Sequence, residues 1–324
     1  MGIEIGSHTI KLIEVIKGEV TLNVQKVSLL ETPKGCVKNG ILEQIEPIKT
    51  LILSEIQRKK YRAKHVVMVV QSKEIIIRNA IMEAYPDEVI RQLLSTQTEC
   101  YLPIKAKAYQ MDYKVIKTLP DHKNELLLVA VPKKMIASVI ELVEGMKKIP
   151  LLITTPSEAV GFVFSESRRM VYEAVGNILV LDIGGEGTMA TIVTKSGTLL
   201  TRIFDFSIAR IQRVLEEVQM IEGITLDEEG LKNIIQPQVQ QYMIPELERI
   251  LQFYYSSFEN RPIKKIYLIG GGATIKGLKE YIYEAFDIPV EPLHLFSTVI
   301  ESKGVKLEPY RRFFVNILGA INGL

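Results

Sequence analysis

Two stretches of the chain repeat the same order of elements, and this repeat restricts the possible fold more than any other feature of the sequence. In each stretch, an apolar segment ends in an acid, an isoleucine and a glycine, and a second apolar segment follows a small residue. The first copy contains Glu4-Ile5-Gly6 and turns again at Lys17-Gly18, and the second contains Asp182-Ile183-Gly184 and turns again at Ser196-Gly197. Each copy is typical of three successive strands joined by glycine turns. Agreement over three successive elements indicates two halves of related architecture.

Length and charge fit a globular protein of two domains. The chain has 324 residues, of which 47% are hydrophobic and 24% are charged. This length corresponds to two domains of roughly 100–200 residues each. The 40 basic and 38 acidic side chains nearly cancel. Because a nucleic-acid-binding protein usually has a strong basic excess, we expect no nucleic-acid partner.

The sequence contains no disulfide, metal-binding or membrane-spanning pattern. Its two cysteines, Cys36 and Cys100, are far apart, and its four histidines lack the spacing of a zinc site. The N-terminal stretch lacks the basic and apolar regions of a signal peptide, and no uncharged apolar run reaches roughly 18 residues. We therefore expect a cytoplasmic protein without a membrane helix.

The glycine turns of the repeat predict a phosphate-binding cleft. Because glycine has no Cβ, the backbone N–H groups of such a turn can approach an anion closely. One turn is a weak signal, but one turn from each half can hold a polyphosphate from both sides. The acids at the strand ends, Glu4 and Asp182, can then hold Mg²⁺ through water, since this ion prefers carboxylates and retains several waters. Lys11 lies on the return strand of the first hairpin, where it can reach a phosphate or simply occupy a strand edge.

A third glycine cluster, Gly270-Gly271-Gly272-Ala273, follows an apolar strand and precedes a helical segment. It does not match GxGxxG, because Ile275 stands at the position of the last glycine, and this argues against a dinucleotide-binding domain. A flat glycine surface can still accept a purine ring. The chain also lacks the GxxxxGK[ST] loop of P-loop proteins and the GxSxG turn of α/β-hydrolases.

In this order, the three glycine motifs resemble the phosphate-1, phosphate-2 and adenosine motifs of the actin-like ATPase superfamily. They read IEIGSHTIK, VLDIGGEGT and LIGGGATIKGL. The stretches ECYLPIKAKAYQMDYKVI and ELLLVAVPKKMI are similar, more specifically, to the type IV pilus assembly protein PilM family. That family carries a small inserted subdomain at this place. The resemblance covers essentially the whole chain.

The resemblance implies that ATP binds with Mg²⁺ between two lobes, with Glu4 and Asp182 orienting the ion. It places the β- and γ-phosphates between Gly6, Ser7, His8, Thr9 and Lys11 on one side and Gly184, Gly185 and Thr188 on the other. It places the adenosine against Gly270, Gly271, Gly272 and Ala273, with Glu229 and Lys232 at the ribose and adenine. The last two residues also fit a surface ion pair, since their spacing puts them on one helix face.

Departures from the superfamily pattern favour nucleotide binding over hydrolysis. Glu4 stands where many actin-like proteins have Asp, Lys276 replaces the usual proline of the adenosine motif, and the segment FDFSIAR lacks a Gly-Gly. No water-orienting Gln or Glu is recognisable near residues 154–160, where Ser157 and Glu158 are the polar candidates. Without such a group, transfer of a phosphoryl group to water should be slow, and we assign no catalytic residue.

We predict an α/β, actin-like fold of two lobes with an inserted small αβ subdomain. Lobe one is expected to comprise residues 1–78, 154–177 and 309–324, and the insert residues 79–153. Lobe two is expected to comprise residues 178–206 and 262–308, with a mostly helical subdomain at 207–261. Within that subdomain, the apolar spacing over 239–258 predicts one long amphipathic helix.

The resemblance implies a cytoplasmic ATP-binding scaffold of the type IV pilus assembly platform, peripheral at the inner face of the cytoplasmic membrane. Its implied partners are the cytoplasmic N-terminal tail of PilN, a single-span pilus protein, and other pilus assembly components. The tail is expected to dock between lobe one and the insert, whose alternating strands at 107–131 can form an apolar wall. The alternative is that the insert only caps lobe one. Membrane association is expected through this partner only.

Two other functions remain open on the same fold. One is an actin-like cell-division tether of the FtsA type, for which residues 311–314, RRFF, would begin a membrane-binding tail. The other is a small-molecule kinase, although the sequence shows no substrate base near the expected γ-phosphate position other than Asp182.

Overall fold

The fold is that of a computed structural model, which describes residues 1–102, 104–164, 176–195, 197–222, 228–258, 261–293 and 298–324. Its strands are β1 Gly2–Ile5, β2 Thr9–Lys17, β3 Leu22–Glu31, β4 Val37–Lys38, β5 Ile41–Leu42, β6 His65–Val69, β7 Ile76–Glu83, β8 Tyr109–Thr118, β9 Lys123–Pro132, β10 Ile149–Thr154, β11 Asn177–Ile183, β12 Thr188–Thr194, β13 Gly197–Phe204, β14 Ile263–Ile269, β15 Val290–Pro292 and β16 Val299–Glu301. Its α-helices are α1 Ile45–Lys59, α2 Asp87–Thr96, α3 Lys133–Gly145, α4 Pro156–Val163, α5 Ile208–Glu222, α6 Glu228–Tyr242, α7 Ile244–Ser257, α8 Leu278–Phe286 and α9 Val315–Asn322.

The two larger sheets share one topology. The first has the strand order β10-β6-β1-β2-β3-β16, and the second has the order β13-β12-β11-β14-β15. In the first, β1 pairs antiparallel with β2 and parallel with β6. In the second, β11 pairs antiparallel with β12 and parallel with β14 in the same way. The sequence repeat therefore corresponds to a repeat of topology, and the predicted α/β class is confirmed.

Two helices, α4 and α9, lie between the sheets and belong to both lobes. Their buried residues form one apolar cluster with residues of the first sheet, such as Val67, and of the second sheet, such as Val180. The helices touch at Gly319, where a Cβ would lie 2.1 Å from the carbonyl oxygen of Ala159. Only glycine permits this backbone contact.

The outer faces of the two larger sheets are covered by the other helices, with the exception of α2. In lobe one, α1 and α3 bury Ile48 and Leu142 against the first sheet. In lobe two, α6 and α7 bury Val239 and Leu247 against the second sheet. Strands such as β6 and β11 have nearly continuous apolar sequences because both of their faces are buried.

The insert is a three-stranded sheet, β7-β9-β8, with α2 on one face. Ile90 and Leu94 of α2 pack against Leu126 and Leu128 of β9. The alternate residue Leu127 faces the other way and joins the core of lobe one. The alternation along β9 thus gives the insert its own core and also attaches it to lobe one.

The strand pairing differs from the expected domain boundaries at two strands. The predicted insert included β10, but this strand pairs with β6 at the edge of the first sheet. The predicted lobe two included β16, but this strand pairs with β3 in the first sheet. The physical reason is that both pairings are parallel and distant in sequence, so no local turn signal indicates them. The rest of the domain division stays a prediction.

The last segment packs into the fold. A 3₁₀ helix, Glu308–Phe313, precedes α9, and Arg311 pairs with Glu301 at 3.1 Å. Phe314 is fully buried. The RRFF segment is therefore part of the core rather than a free amphipathic tail. Among the residues that the structure describes, no helix has both the length and the apolar character needed to cross a membrane.

Candidate functional site

The two glycine turns have the same geometry and face each other across the cleft between the sheets. The Gly6 N–H donates to the Thr9 carbonyl at 2.9 Å, and the Gly184 N–H donates to the Gly187 carbonyl at the same distance. A Cβ on Gly185 would lie 2.3 Å from Nδ1 of His8. The turns therefore meet closely, and residues of both line one cleft.

The acids that precede these turns lie in the floor of the cleft. Glu4 and Asp182 are each only 6% exposed. Glu4 forms an ion pair with Lys11, its neighbour across the first hairpin. Asp182 accepts a hydrogen bond from Nδ2 of Asn316 at 2.8 Å. The site thus holds two buried carboxylates with one lysine and one amide as partners.

Burial raises the pKa of Glu4, because a charged carboxylate loses its hydration in the protein interior. The charge of Asp182 raises this pKa further, whereas Lys11 and Asn316 act against the rise. Two buried carboxylates that repel each other are stabilised by a cation between them.

The residues present fit a magnesium ion. Within the described part of the chain, Oε2 of Glu4 and Oδ1 of Asn316 are buried without a hydrogen-bond partner. Buried oxygens are normally paired, so these two indicate a bound ion or water. No three His, Cys, Asp or Glu side chains cluster as metal ligands in the described ranges. Glu4 and Asp182 supply the one or two carboxylates that usually hold Mg²⁺ together with water and phosphate oxygens.

The third glycine cluster closes the cleft beside Asp182. Gly270 has a φ of +77°, and a Cβ there would lie 2.5 Å from Oδ1 of Asp182. Gly271 lines the cleft next to Phe313. A Cβ on Gly272 would lie 2.1 Å from Cγ2 of Ile183. Gly270 and Gly272 therefore permit close packing on β11, and Gly270 and Gly271 line the cleft.

The structure brings most of the predicted site residues together. Those that line the cleft are Glu4, Gly6, Ser7, His8, Thr9, Lys11, Asp182, Gly184, Gly185, Gly270 and Gly271. Gly272 and Ala273 lie behind Gly271, in the short 3₁₀ helix Gly271–Thr274.

Three further predicted residues lie away from the cleft lining. Thr188 is fully buried, and its Oγ1 donates to the carbonyl of Phe206 at 2.6 Å. Glu229 and Lys232 are exposed on α6. Their contacts with phosphate, ribose and adenine stay predictions.

Sequence reasoning missed the residues that meet across the cleft mouth. The Asn39 N–H donates to Oε2 of Glu186 at 3.1 Å, and Lys73 pairs with Asp205 at 3.1 Å. Both contacts join lobe one to lobe two, and no local pattern signals them. Asn316 was also missed, although a lone asparagine in the apolar stretch FFVNILGA is a visible signal.

A second concavity lies between the insert and lobe one, and we call it the insert groove. Its volume is about 650 Å³. Leu127, Val129 and Val131 of β9 form one wall, and Leu152 and Phe162 belong to the other. Ion pairs lie at its border, with Lys114 and Glu158 3.0 Å apart and Arg91 and Asp112 3.1 Å apart. The groove is thus apolar with a charged rim.

The solved structures that are similar to this chain include the following three. A chain of a PilM–PilN type IV pilus biogenesis complex is 21% identical, with a TM-score of 0.84, over 99% of this chain and 97% of that chain. The ethanolamine utilization protein EutJ from Carboxydothermus hydrogenoformans is 14% identical, with a TM-score of 0.55, over 98% and 87%. MreB5 of Spiroplasma citri bound to AMPPNP is 10% identical, with a TM-score of 0.51, over 99% and 94%. These likenesses show the fold, and the predicted actin-like architecture is confirmed.

The family comparison covers nearly the whole chain. The family model described as type IV pilus assembly protein PilM matches residues 2–321. That range includes all three glycine motifs, both lobes and the insert. The chain therefore belongs to the type IV pilus assembly protein PilM family.

Proposed function

We propose that this pilus assembly protein binds ATP with Mg²⁺ in the cleft and acts as a nucleotide-responsive scaffold. The observation that carries the proposal is the pair of glycine turns, residues 6–9 and 184–187, that face each other above two buried carboxylates. Backbone N–H groups of such turns bind phosphate oxygens, and the turns come from different lobes. A polyphosphate between them would therefore join the lobes.

The cation would bind beside Glu4 and Asp182 at the floor of this cleft. When bound, Mg²⁺ neutralises phosphate charge. Glu4 and Asp182 would hold it through water, and the Lys11 ammonium would offset the remaining negative charge of the site. The fold of this chain is also that of MreB5, which was solved with AMPPNP bound.

The positions of the polar candidates support slow hydrolysis. Ser157 is buried and shares a hydrogen bond with Thr201 at 2.6 Å. Glu158 faces the insert groove, where it pairs with Lys114. Neither side chain lines the cleft, so neither is placed to orient an attacking water. Gln71 and Gln212 line the cleft and are the first candidates if turnover proves fast.

The insert groove is the proposed docking site for the N-terminal tail of PilN. Its apolar wall fits a short apolar peptide, and its borders are the edge strands β8 and β10 of two sheets. Edge strands present backbone groups that an extended peptide can pair with. In this proposal the protein is cytoplasmic and reaches the inner face of the membrane through PilN. Further contacts with other pilus assembly components would build on that position.

Calorimetry with a synthetic PilN tail peptide tests the docking site. Val129→Asp places a charge in the apolar wall and should abolish peptide binding. Val20→Asp is the matched control, because Val20 lies outside the groove and is 70% exposed. Equal binding by both variants would show that the peptide docks elsewhere. No binding by the unmodified protein up to millimolar peptide, with and without ATP, would refute the PilN part of the proposal.

A further inference from the structure

Helix α9 runs from the carboxylates of the cleft to the insert groove. Near its start, Asn316 donates from Nδ2 to Oδ2 of Asp182 at 2.8 Å. At its end, Asn322 donates from Nδ2 to the carbonyl of Phe162 at 3.0 Å. Phe162 lines the insert groove, as do Gly323 and Leu324, which follow the helix. One helix therefore contacts both sites.

Asn316 is a buried amide in apolar surroundings. It is 3% exposed, and its neighbours Val315 and Ile317 are fully buried. Its Oδ1 has no hydrogen-bond partner within the described residues, and neither has Oε2 of Glu4. Buried polar atoms are rarely left unpaired, so both oxygens indicate a ligand site beside Asp182. Oxygen atoms of carboxylates and amides are the groups that a hard cation prefers.

The packing of α9 gives a route from this position to the groove. At Gly319 the helix lies directly on the backbone of α4. A Cβ on Gly323 would lie 2.3 Å from the Phe162 ring. These contacts leave no space for side chains to absorb a movement, and close-packed interiors transmit such shifts. A displacement of α9 must therefore move α4 or the Phe162 ring.

We propose that Asn316 is the third oxygen group of the cation site, and that α9 transmits occupancy of this site to the insert groove. The proposal rests on the proposed binding of ATP with Mg²⁺. A cation at Asp182 attracts the amide oxygen of Asn316 and repels its NH₂ group. Its arrival therefore changes the hydrogen bond that anchors the start of α9. A ligand can shift a protein between two conformations only when it interacts differently with each, and this change in hydrogen bonding supplies the difference.

A tryptophan reporter makes the coupling measurable without a partner protein. The chain contains no tryptophan, and Leu324 is 52% exposed at the groove, so Leu324→Trp adds a single fluorophore there. Emission would be recorded with Mg²⁺ and ATP together, with ATP and a chelator, and with Mg²⁺ alone. Calorimetry on the same samples measures nucleotide affinity separately. We expect the emission to shift only when Mg²⁺ and ATP are both present.

Variants of Asn316 and Asn322 separate the two ends of the helix. Asn316→Leu should weaken Mg²⁺-dependent ATP binding by about 10–100-fold and remove the shift at saturation. Asn316→Asp replaces the hydrogen bond to Asp182 by a repulsion between two carboxylates, which an arriving cation relieves, so this variant should keep the shift. Asn322→Ala should bind Mg²⁺ and ATP normally but lose the shift, because it removes the hydrogen bond to the Phe162 carbonyl.

The possible outcomes distinguish this inference from the proposed function. A reporter that stays silent while calorimetry shows Mg²⁺-dependent ATP binding would overturn the coupling and leave the proposed function intact. Normal affinity and a normal shift in Asn316→Leu would overturn the role of Asn316. If that variant does not fold, loss of the shift in Asn316→Asp would overturn it instead. Absence of any ATP binding in the unmodified protein would overturn the proposed function and this inference together.

Discussion

Replacing Lys11 by methionine should destabilise the protein by an amount that depends on pH. Lys11 and Glu4 form an ion pair in which both residues are nearly buried, with 8% and 6% exposure. Methionine retains the length and the packing of the lysine stem but not its charge. Removing one partner of a buried ion pair typically costs about 3–5 kcal/mol, because the remaining charge is buried without compensation. We expect a loss in that range at pH 8.

The direction in which the cost of Lys11→Met changes with pH follows from the pKa of Glu4. Burial holds its pKa above the ordinary value in the folded protein, and Lys11 opposes this rise. A raised carboxyl pKa contributes stability that is fully present below the ordinary pKa of about 4.3 and is lost as the pH rises through the folded-state pKa. In Lys11→Met the pKa of Glu4 rises further, so protonated Glu4 persists to higher pH. The cost of the substitution should therefore be small at pH 5 and largest at pH 8.

Urea unfolding at pH 5 and pH 8 would measure these costs in four proteins: the unmodified chain, Lys11→Met, Glu4→Gln and the double variant. Replacing both partners by neutral residues is often close to neutral, so the double variant should recover most of the stability at pH 8. Two results would refute the reasoning. One is an equal loss for Lys11→Met at both pH values, and the other is a double variant no more stable than Lys11→Met.

Three further outcomes are expected. Gly271→Asp should abolish ATP binding in a titration, because a side chain and a negative charge enter the cleft. The surface variant Val20→Asp is the control and should bind ATP normally. Retained affinity in Gly271→Asp would refute the site assignment. Steady-state ATP hydrolysis should be far below the ~1–10³ s⁻¹ of typical enzymes, and a turnover above about 1 s⁻¹ without any partner would contradict this. Gly319→Ala should lower the free energy of unfolding by about 1–3 kcal/mol, because its Cβ meets the Ala159 backbone. Gly145→Ala is the helical control, since its Cβ meets only the flexible Lys49 side chain, and an equal loss there would contradict the packing argument.

The features that sequence predicted well are local in the chain. Both hairpins and their glycine turns are short, so strand alternation and glycine positions determine them directly. The glycine cluster after β14 was found for the same reason. The repeat then supplied the relation between the halves, because equal patterns fold into equal topologies, as the two strand orders show.

The features that sequence missed depend on distant contacts or on a break in a continuing pattern. The expected single helix over 239–258 is two helices, α6 and α7, divided at Met243. Apolar spacing continues across the division, and Pro245 fits the first turn of the new helix, so periodicity alone shows no interruption. Asn316 meets Asp182 only because α9 packs between the sheets. The sequence pattern of one segment contains no information about this contact between distant residues.

The unequal strength of the contacts between the lobes determines how the cleft can open. At the mouth, the side chains of Lys73 and Asp205 are 47% and 66% exposed, and exposed ion pairs contribute only about 0.2–1 kcal/mol. At the opposite side, α4 and α9 join both sheets in one buried apolar cluster. Separating that cluster would expose many apolar side chains, each worth about 1.5–3 kcal/mol. Opening should therefore break the mouth first and pivot on α4 and α9, of which α9 reaches both the carboxylates and the insert groove. A nucleotide that holds the two glycine turns together would oppose this pivot, and a peptide in the groove would press on the same helices.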